Sequence, residues 1–128
     1  MNKIKLMLTA LTLSLGSVAW AHHSTNGVYN EEVEVELVGT VKSWRFINPH
    51  PTLSLDVDGV EWDVSYGGAA VVHLRRQGYA ADTFKPGDVI VVRGKPALAD
   101  GVYGVLIEGG RHPTRPDGSQ IVGGGSMF

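Results

Sequence analysis

The stretch that decides the fold runs from Val33 to Pro51, VEVELVGTVKSWRFINPHP. Val33, Val35 and Leu37 alternate with Glu34 and Glu36, the two-residue period of a strand with one face buried. The phase slips at Val38-Gly39. Val41 keeps the original parity, while Trp44 and Phe46 fall on the other. A β-bulge at Gly39 accounts for the slip, because glycine tolerates the backbone a bulge needs and a bulge sharpens the twist. The reading is one long, bent strand over residues 33–47, able to serve two halves of a barrel. Asn48-Pro49-His50-Pro51 then ends the pairing, since each proline lacks an N–H and holds the preceding residue extended.

The chain beyond this stretch continues in strands. Leu53, Leu55 and Val57 alternate with Ser54 and Asp56, and Val60, Trp62, Val64 and Tyr66 alternate with Glu61, Asp63 and Ser65. Asp58-Gly59 between them is a two-residue hairpin signal. Gly67-Gly68 breaks the run, and Ala69 to Gln77 is predicted as a short helix. Ala70, Val71 and Leu74 share one face of it, with Arg75 and Arg76 late and Gly78 as the cap. Phe84 to Asp88 forms a turn, Val89 to Arg93 an apolar strand closed by Lys95-Pro96, Asp100-Gly101 a turn, and Val102 to Glu108 the last strand. Three strands, a helix and two strands give an all-β class with one short helix, the order of a five-stranded OB-like Greek-key barrel. The alternative is an antiparallel sheet with one covering helix. The barrel domain spans 33–110, an extended N-terminal segment 22–32, and a Gly/Pro-rich C-terminal tail 111–128. That tail is expected to be loosely ordered, with Ile121-Val122 able to dock.

Residues 1–21 read as a signal peptide. Lys3 and Lys5 form a basic start, Leu6 to Leu15 an apolar run too short to span a membrane, and Ala19-Trp20-Ala21 a small-x-small cleavage site. The expectation is export to the periplasm with a cut after Ala21, and a product that is not membrane-embedded. The sequence has no cysteine, which removes disulfides and a lipid-bearing thiol alike and leaves the apolar core to hold the domain. Cleavage removes two lysines and takes the formal charge from −2 to −4. Such mild acidity gives no electrostatic footprint for nucleic acid, and none is expected as a partner.

Four segments together are similar to a known family. They are Ala21-His22-His23-Ser24, the strand end Val41-x-x-Trp44 with Ile47-Asn48-Pro49-His50, Trp62-x-Val64, and Lys85-Pro86-Gly87-Asp88-x-Ile90-x-Val92-x-Gly94. They resemble DUF6152, a family of small exported bacterial proteins of unknown function. The resemblance implies a periplasmic, OB-like domain and no established activity. Tyr66-Gly67-Gly68 stands where relatives often carry a polar, proline-containing segment, so the resemblance assigns no binding role to that loop.

Two groups of residues could carry chemistry. Cleavage after Ala21 places His22 first and His23 second, and a free amine with an adjacent imidazole chelates Cu(II), with His50 as a distant third ligand. The plain alternative is two solvated histidines after a signal peptide. The second group is Trp44, Arg45, Asn48 and His50, which gather aromatic, cationic, amide and imidazole groups beside a stiff loop. They are the expected ligand-binding surface for a protein or small-molecule partner. The plain alternative there is a turn in which Asn48 and His50 satisfy nearby backbone groups. Trp62 and Tyr66 share the parity of Val60 and Val64 and are read as core. His73 and His112 are read as solvent-facing helix and loose tail. The sequence carries no nucleophile elbow, zinc-protease helix, phosphate loop or cysteine nucleophile, so a binding or accessory role is preferred to an enzyme, and no cofactor beyond copper is suggested.

Overall fold

Five strands and one helix follow one another in the computed structural model, which describes residues 27–108 and 110–123. They are β1 (Val35–Arg45), β2 (Thr52–Val57), β3 (Val60–Ser65), α1 (Val71–Arg76), β4 (Val89–Pro96) and β5 (Gly104–Leu106). The strands close into a barrel in the order β1-β2-β3-β5-β4. β3 and β5 run parallel, and the other neighbours are antiparallel. This is the OB-like Greek-key barrel, with its helix between β3 and β4; an open sheet with a covering helix is not the arrangement. Residues 1–26, which include the signal-peptide reading and His22-His23, lie outside the described residues.

β1 is long because it serves both neighbours. Its first half pairs with β4 in unbroken register from Val35↔Gly94 to Thr40↔Val89, and its second half pairs with β2. The phase slip is real, but its place differs from the sequence reading. The register against β2 shifts between Val41 and Ser43, so the extra residue is Lys42 and not Gly39. Gly39 stays in phase and buried. A Cβ there would lie 3.0 Å from the Asp56 carbonyl and from Val57 Cγ2, so the glycine answers to close strand approach. Lys42 points outward and pairs with Glu61 of β3.

The Asp58-Gly59 turn joins β2 and β3, with both residues at positive φ as a two-residue hairpin of the primed type requires. The helix is shorter than the predicted span. It ends in a Schellman motif: the Tyr79 amide donates to the Leu74 carbonyl and the Gly78 amide to that of Arg75, each at 3.0 Å. The motif drives Tyr79 inward beside Leu74, and both are buried with Leu37, Val41, Leu53, Leu55, Val64, Phe84, Ile90, Val92 and Val105 in one core. β5 is likewise shorter than predicted, because Val102 and Tyr103 remain exposed in the preceding turn.

Both flanking segments are more ordered than composition suggests. The Asn30 amide donates to the Pro96 carbonyl and the Leu98 amide to that of Val28, so the lead-in adds a short antiparallel pair. Residues 110–123 are not a loose tail. Thr114 and Val91 exchange both backbone hydrogen bonds, Pro113 is fully buried, and Val122 enters the core as the docking of Ile121-Val122 required.

Barrel closure depends on the approach of β4 to β5. A Cβ at Gly94 would fall inside the Leu106 carbonyl and 2.9 Å from Val105 Cγ2, against backbone that cannot yield cheaply. Gly94→Ala should therefore lower stability by about 3 kcal/mol, at the upper end of overpacking effects. Chemical denaturation checks this, with Gly39→Ala as a milder comparison.

Candidate functional site

The bulge at Lys42 turns Trp44 and Phe46 toward the interior at one end of the barrel. The Trp44 ring stacks on Phe46 at 5.5 Å, meets Phe84 edge-on at 5.2 Å, and lies 6.1 Å from both Tyr66 and Tyr79. Its Nε1–H donates to the Ala80 carbonyl at 2.8 Å. Trp44 therefore ties the end of β1 to the segment after the helix. Its ring packs on the core and its donor is engaged, so it supports the loop and does not itself offer a free stacking face. The Arg75 guanidinium sits over the Phe46 ring at 5.8 Å, joining the helix to the same strand end.

Arg45, Ile47, Asn48 and His50 are exposed on the loop that follows, while Pro51 is buried and anchors it. No hydrogen bond ties the Asn48 or His50 side chain to another described residue. A cleft of about 400 Å³ opens between the start of β2 and the end of β3, lined by His50, Pro51, Leu53, Asp63, Ser65 and Ala69 among others. Its size suits a small ligand or a side chain of a partner. Pro51 and Leu53 supply apolar wall, while His50 and Asp63 offer an imidazole and a carboxylate. Ser65 Oγ accepts from the Gly67 amide at 3.2 Å, which fixes the turn beside the cleft.

The four loop residues singled out in the sequence are thus divided. His50 lines the cleft, Arg45 and Asn48 sit exposed beside it, and Trp44 lies beneath. In the sequence Asp63 and Ser65 show only as the polar positions that alternate with Val64 and Tyr66. The signal that could have found them is hairpin register, which pairs Leu53 with Val64 and Ser54 with Asp63 next to the loop. Among the described residues no group of three or more His, Cys, Asp or Glu side chains stands close enough to hold a metal ion. His50 offers one imidazole, and His22 and His23 lie outside the described residues.

A second polar group lies on the far side of the aromatic cluster. The Tyr79 hydroxyl, on a residue 1% exposed, meets His112 Nδ1 at 2.9 Å. With neutral His112 protonated at Nε2, the phenol donates and the imidazole accepts. Burial pushes the Tyr79 phenol up to about 12 and the Tyr66 phenol well above its ordinary range, so both stay protonated. Burial also lowers the His112 imidazole below its usual value. His112 is therefore a packed member of the C-terminal segment, not the loose-tail residue the sequence suggested.

The sequence model of a family described as "Family of unknown function (DUF6152)" matches residues 10–105. The chain belongs to that family. No curated protein matches the chain. Among the described residues, no helix is long and apolar enough to cross a membrane.

Two measurements check the roles of Trp44 and His112. Trp44→Phe should cost about 1 kcal/mol through the lost bond to Ala80, and Trp44→Ala about 3–5 kcal/mol through the emptied aromatic cluster, both read by denaturant unfolding. His112 has a folded pKa below its unfolded value, so its contribution is complete above about pH 6.5 and fades as the solution is acidified toward the folded value. A series of melting temperatures between neutral and mildly acidic pH should fall for the native chain and flatten for His112→Gln, which keeps an acceptor for Tyr79 without a titrating ring.

Proposed function

We propose that this chain is a small exported accessory domain of the periplasm that binds a ligand or partner at the cleft beside the Asn48–Pro51 loop. The observation that carries the reading is the convergence of His50, Pro51, Leu53, Asp63 and Ser65 on one opening of about 400 Å³. A rigid barrel end supports that opening, and an exposed histidine stands at its rim. Apolar wall with a few polar groups is the usual make-up of a small-ligand site. The signal-like residues 1–21 support export. A binding role accords with an imidazole, a carboxylate and a hydroxyl set around apolar wall.

A second reading is a copper-binding protein using His22, His23 and His50. What favours it is that His50 is exposed and unengaged among the described residues, available to complete a site begun by a processed terminus. Calorimetric titration with Cu(II) separates the two readings. The chain beginning at His22 should bind tightly, and the same chain with one extra residue before His22 should lose most of that affinity. Equal affinity would remove the copper reading.

For the cleft itself, His50→Ala and Asp63→Asn should each reduce capture of the partner from a cell extract by about tenfold. Both residues are exposed, so their melting temperatures should stay close to that of the native chain. Undiminished capture by both variants would place the binding surface elsewhere on the barrel.

A further inference from the structure

The described cations are not distributed evenly with respect to carboxylates. Lys42 pairs with Glu61, Arg93 with Glu36, Lys95 with Glu31 and Glu108, and Arg111 with Glu34. Lys85 and Arg115 share a cleft with Asp82 and Asp88. Among the described residues Lys85 and Arg115 make no ion pair but have those carboxylates in the same cleft, whereas Arg45, Arg75 and Arg76 have no such company. All three are exposed, and none has a carboxylate within ion-pair distance among the described residues. They come from two elements, the end of β1 and the end of α1. Phe46, next to Arg45, holds the Arg75 guanidinium over its ring and so brings the elements together.

Helix capping does not account for the set. The carbonyls of Leu74 and Arg75 already receive the amides of Tyr79 and Gly78, and Arg45 is not on the helix. Two large apolar side chains nearby in the chain stand open to solvent, Ile47 in the loop after β1 at 51% and Val72 in the first turn of α1 at 49% exposure. Three unpaired cations and two open apolar side chains thus lie on segments joined by the Arg75–Phe46 contact, in a chain whose net charge is negative.

We propose that Arg45, Arg75 and Arg76, with Ile47 and Val72, form a docking surface for an acidic polypeptide segment that carries apolar residues between its carboxylates. This rests on the cleft reading above and names its partner class. Arginine meets carboxylate through two parallel N–H···O bonds, which gives such a segment orientation as well as affinity. The adjoining cleft receives one side chain of the segment. Asp63 in its wall favours a donor at that point and opposes a sheet of anionic headgroups, so a peptide fits better than a lipid surface.

The probe is a fluorescent peptide of Glu-Glu-Leu repeats, followed by anisotropy against the full processed chain. A Lys-Lys-Leu peptide and phosphatidylglycerol vesicles serve as comparisons. The acidic peptide should bind, weaken with added salt, and lose about fivefold or more on Arg45→Glu and again on Arg75→Gln with Arg76→Gln. The Lys-Lys-Leu peptide should not bind, and Lys42→Glu, on the paired part of the surface, should stay within about twofold. Arg45 makes no aromatic contact, so its variant keeps the test valid if the Arg75 change loosens Phe46. Absence of peptide binding, equal loss in Lys42→Glu, or arginine-dependent binding of vesicles in place of peptide would each overturn the proposal. Capture that depends on His50 but not on these arginines would leave the cleft standing and remove only this surface.

Discussion

Trp44 faces inward, and most of the barrel's architecture at that end depends on it. Strict alternation from Leu37 and Val41 would aim Trp44 and Phe46 at solvent and Arg45 at the core. One extra residue, Lys42, reverses that assignment. Burying Arg45 unpaired would be far more costly than the local loss of one ladder position. With the slip in place, a single indole touches the rings of Phe46, Tyr66, Tyr79 and Phe84, which belong to the loop after β1, the end of β3, the segment after the helix and the approach to β4. Aromatic pairs add about 0.5–1.5 kcal/mol each beyond area burial. The loop that follows is held in place because the residues before it are packed.

Much of this was legible in the sequence where side chains alternate without interruption. The hairpin from Leu53 to Tyr66 and the order of elements followed from period and turn chemistry alone. The bulge was visible as a parity change, but parity fixes only an interval, and glycine drew the assignment to position 39. The atoms of Asp56 and Val57 that crowd Gly39 belong to a partner strand whose approach no local pattern records. The glycine- and proline-rich composition of the C-terminal segment hides its pairing with β4. A better guide lay in Val89-Ile90-Val91-Val92, where four consecutive apolar residues leave an outward-facing Val91 that needs cover. Thr114 and its neighbours supply it.

The site was partly legible for a similar reason. His50 and Asn48 stood out because prolines flank them, yet Asp63 and Ser65 look like the ordinary wet face of a strand. Only the pairing of β2 with β3 carries them to the loop. Charge is organised across the same distances. Glu34, Glu36 and Glu31 meet Arg111, Arg93 and Lys95, residues many positions away. Exposed pairs of this kind contribute about 0–1 kcal/mol apiece. Their larger effect is on the field, because they neutralise four of the described cations and leave Arg45, Arg75 and Arg76 without a paired carboxylate.

The closed ring also bears on how the chain reaches its fold. β1, β2 and β3 form a meander joined by a short loop and a tight turn, and those contacts are local enough to form early. The remaining seams unite Val35 with Gly94 and Asp63 with Gly104, which must wait for distant parts of the chain. Until β4 covers β1 and β5 covers β3, the meander presents two unpaired edges, one of them rich in valine. An edge in that state pairs as readily with another molecule as with its own chain. The glycine that lets β4 and β5 meet thus joins the two covering strands to each other, and in the closed ring no strand keeps a free edge.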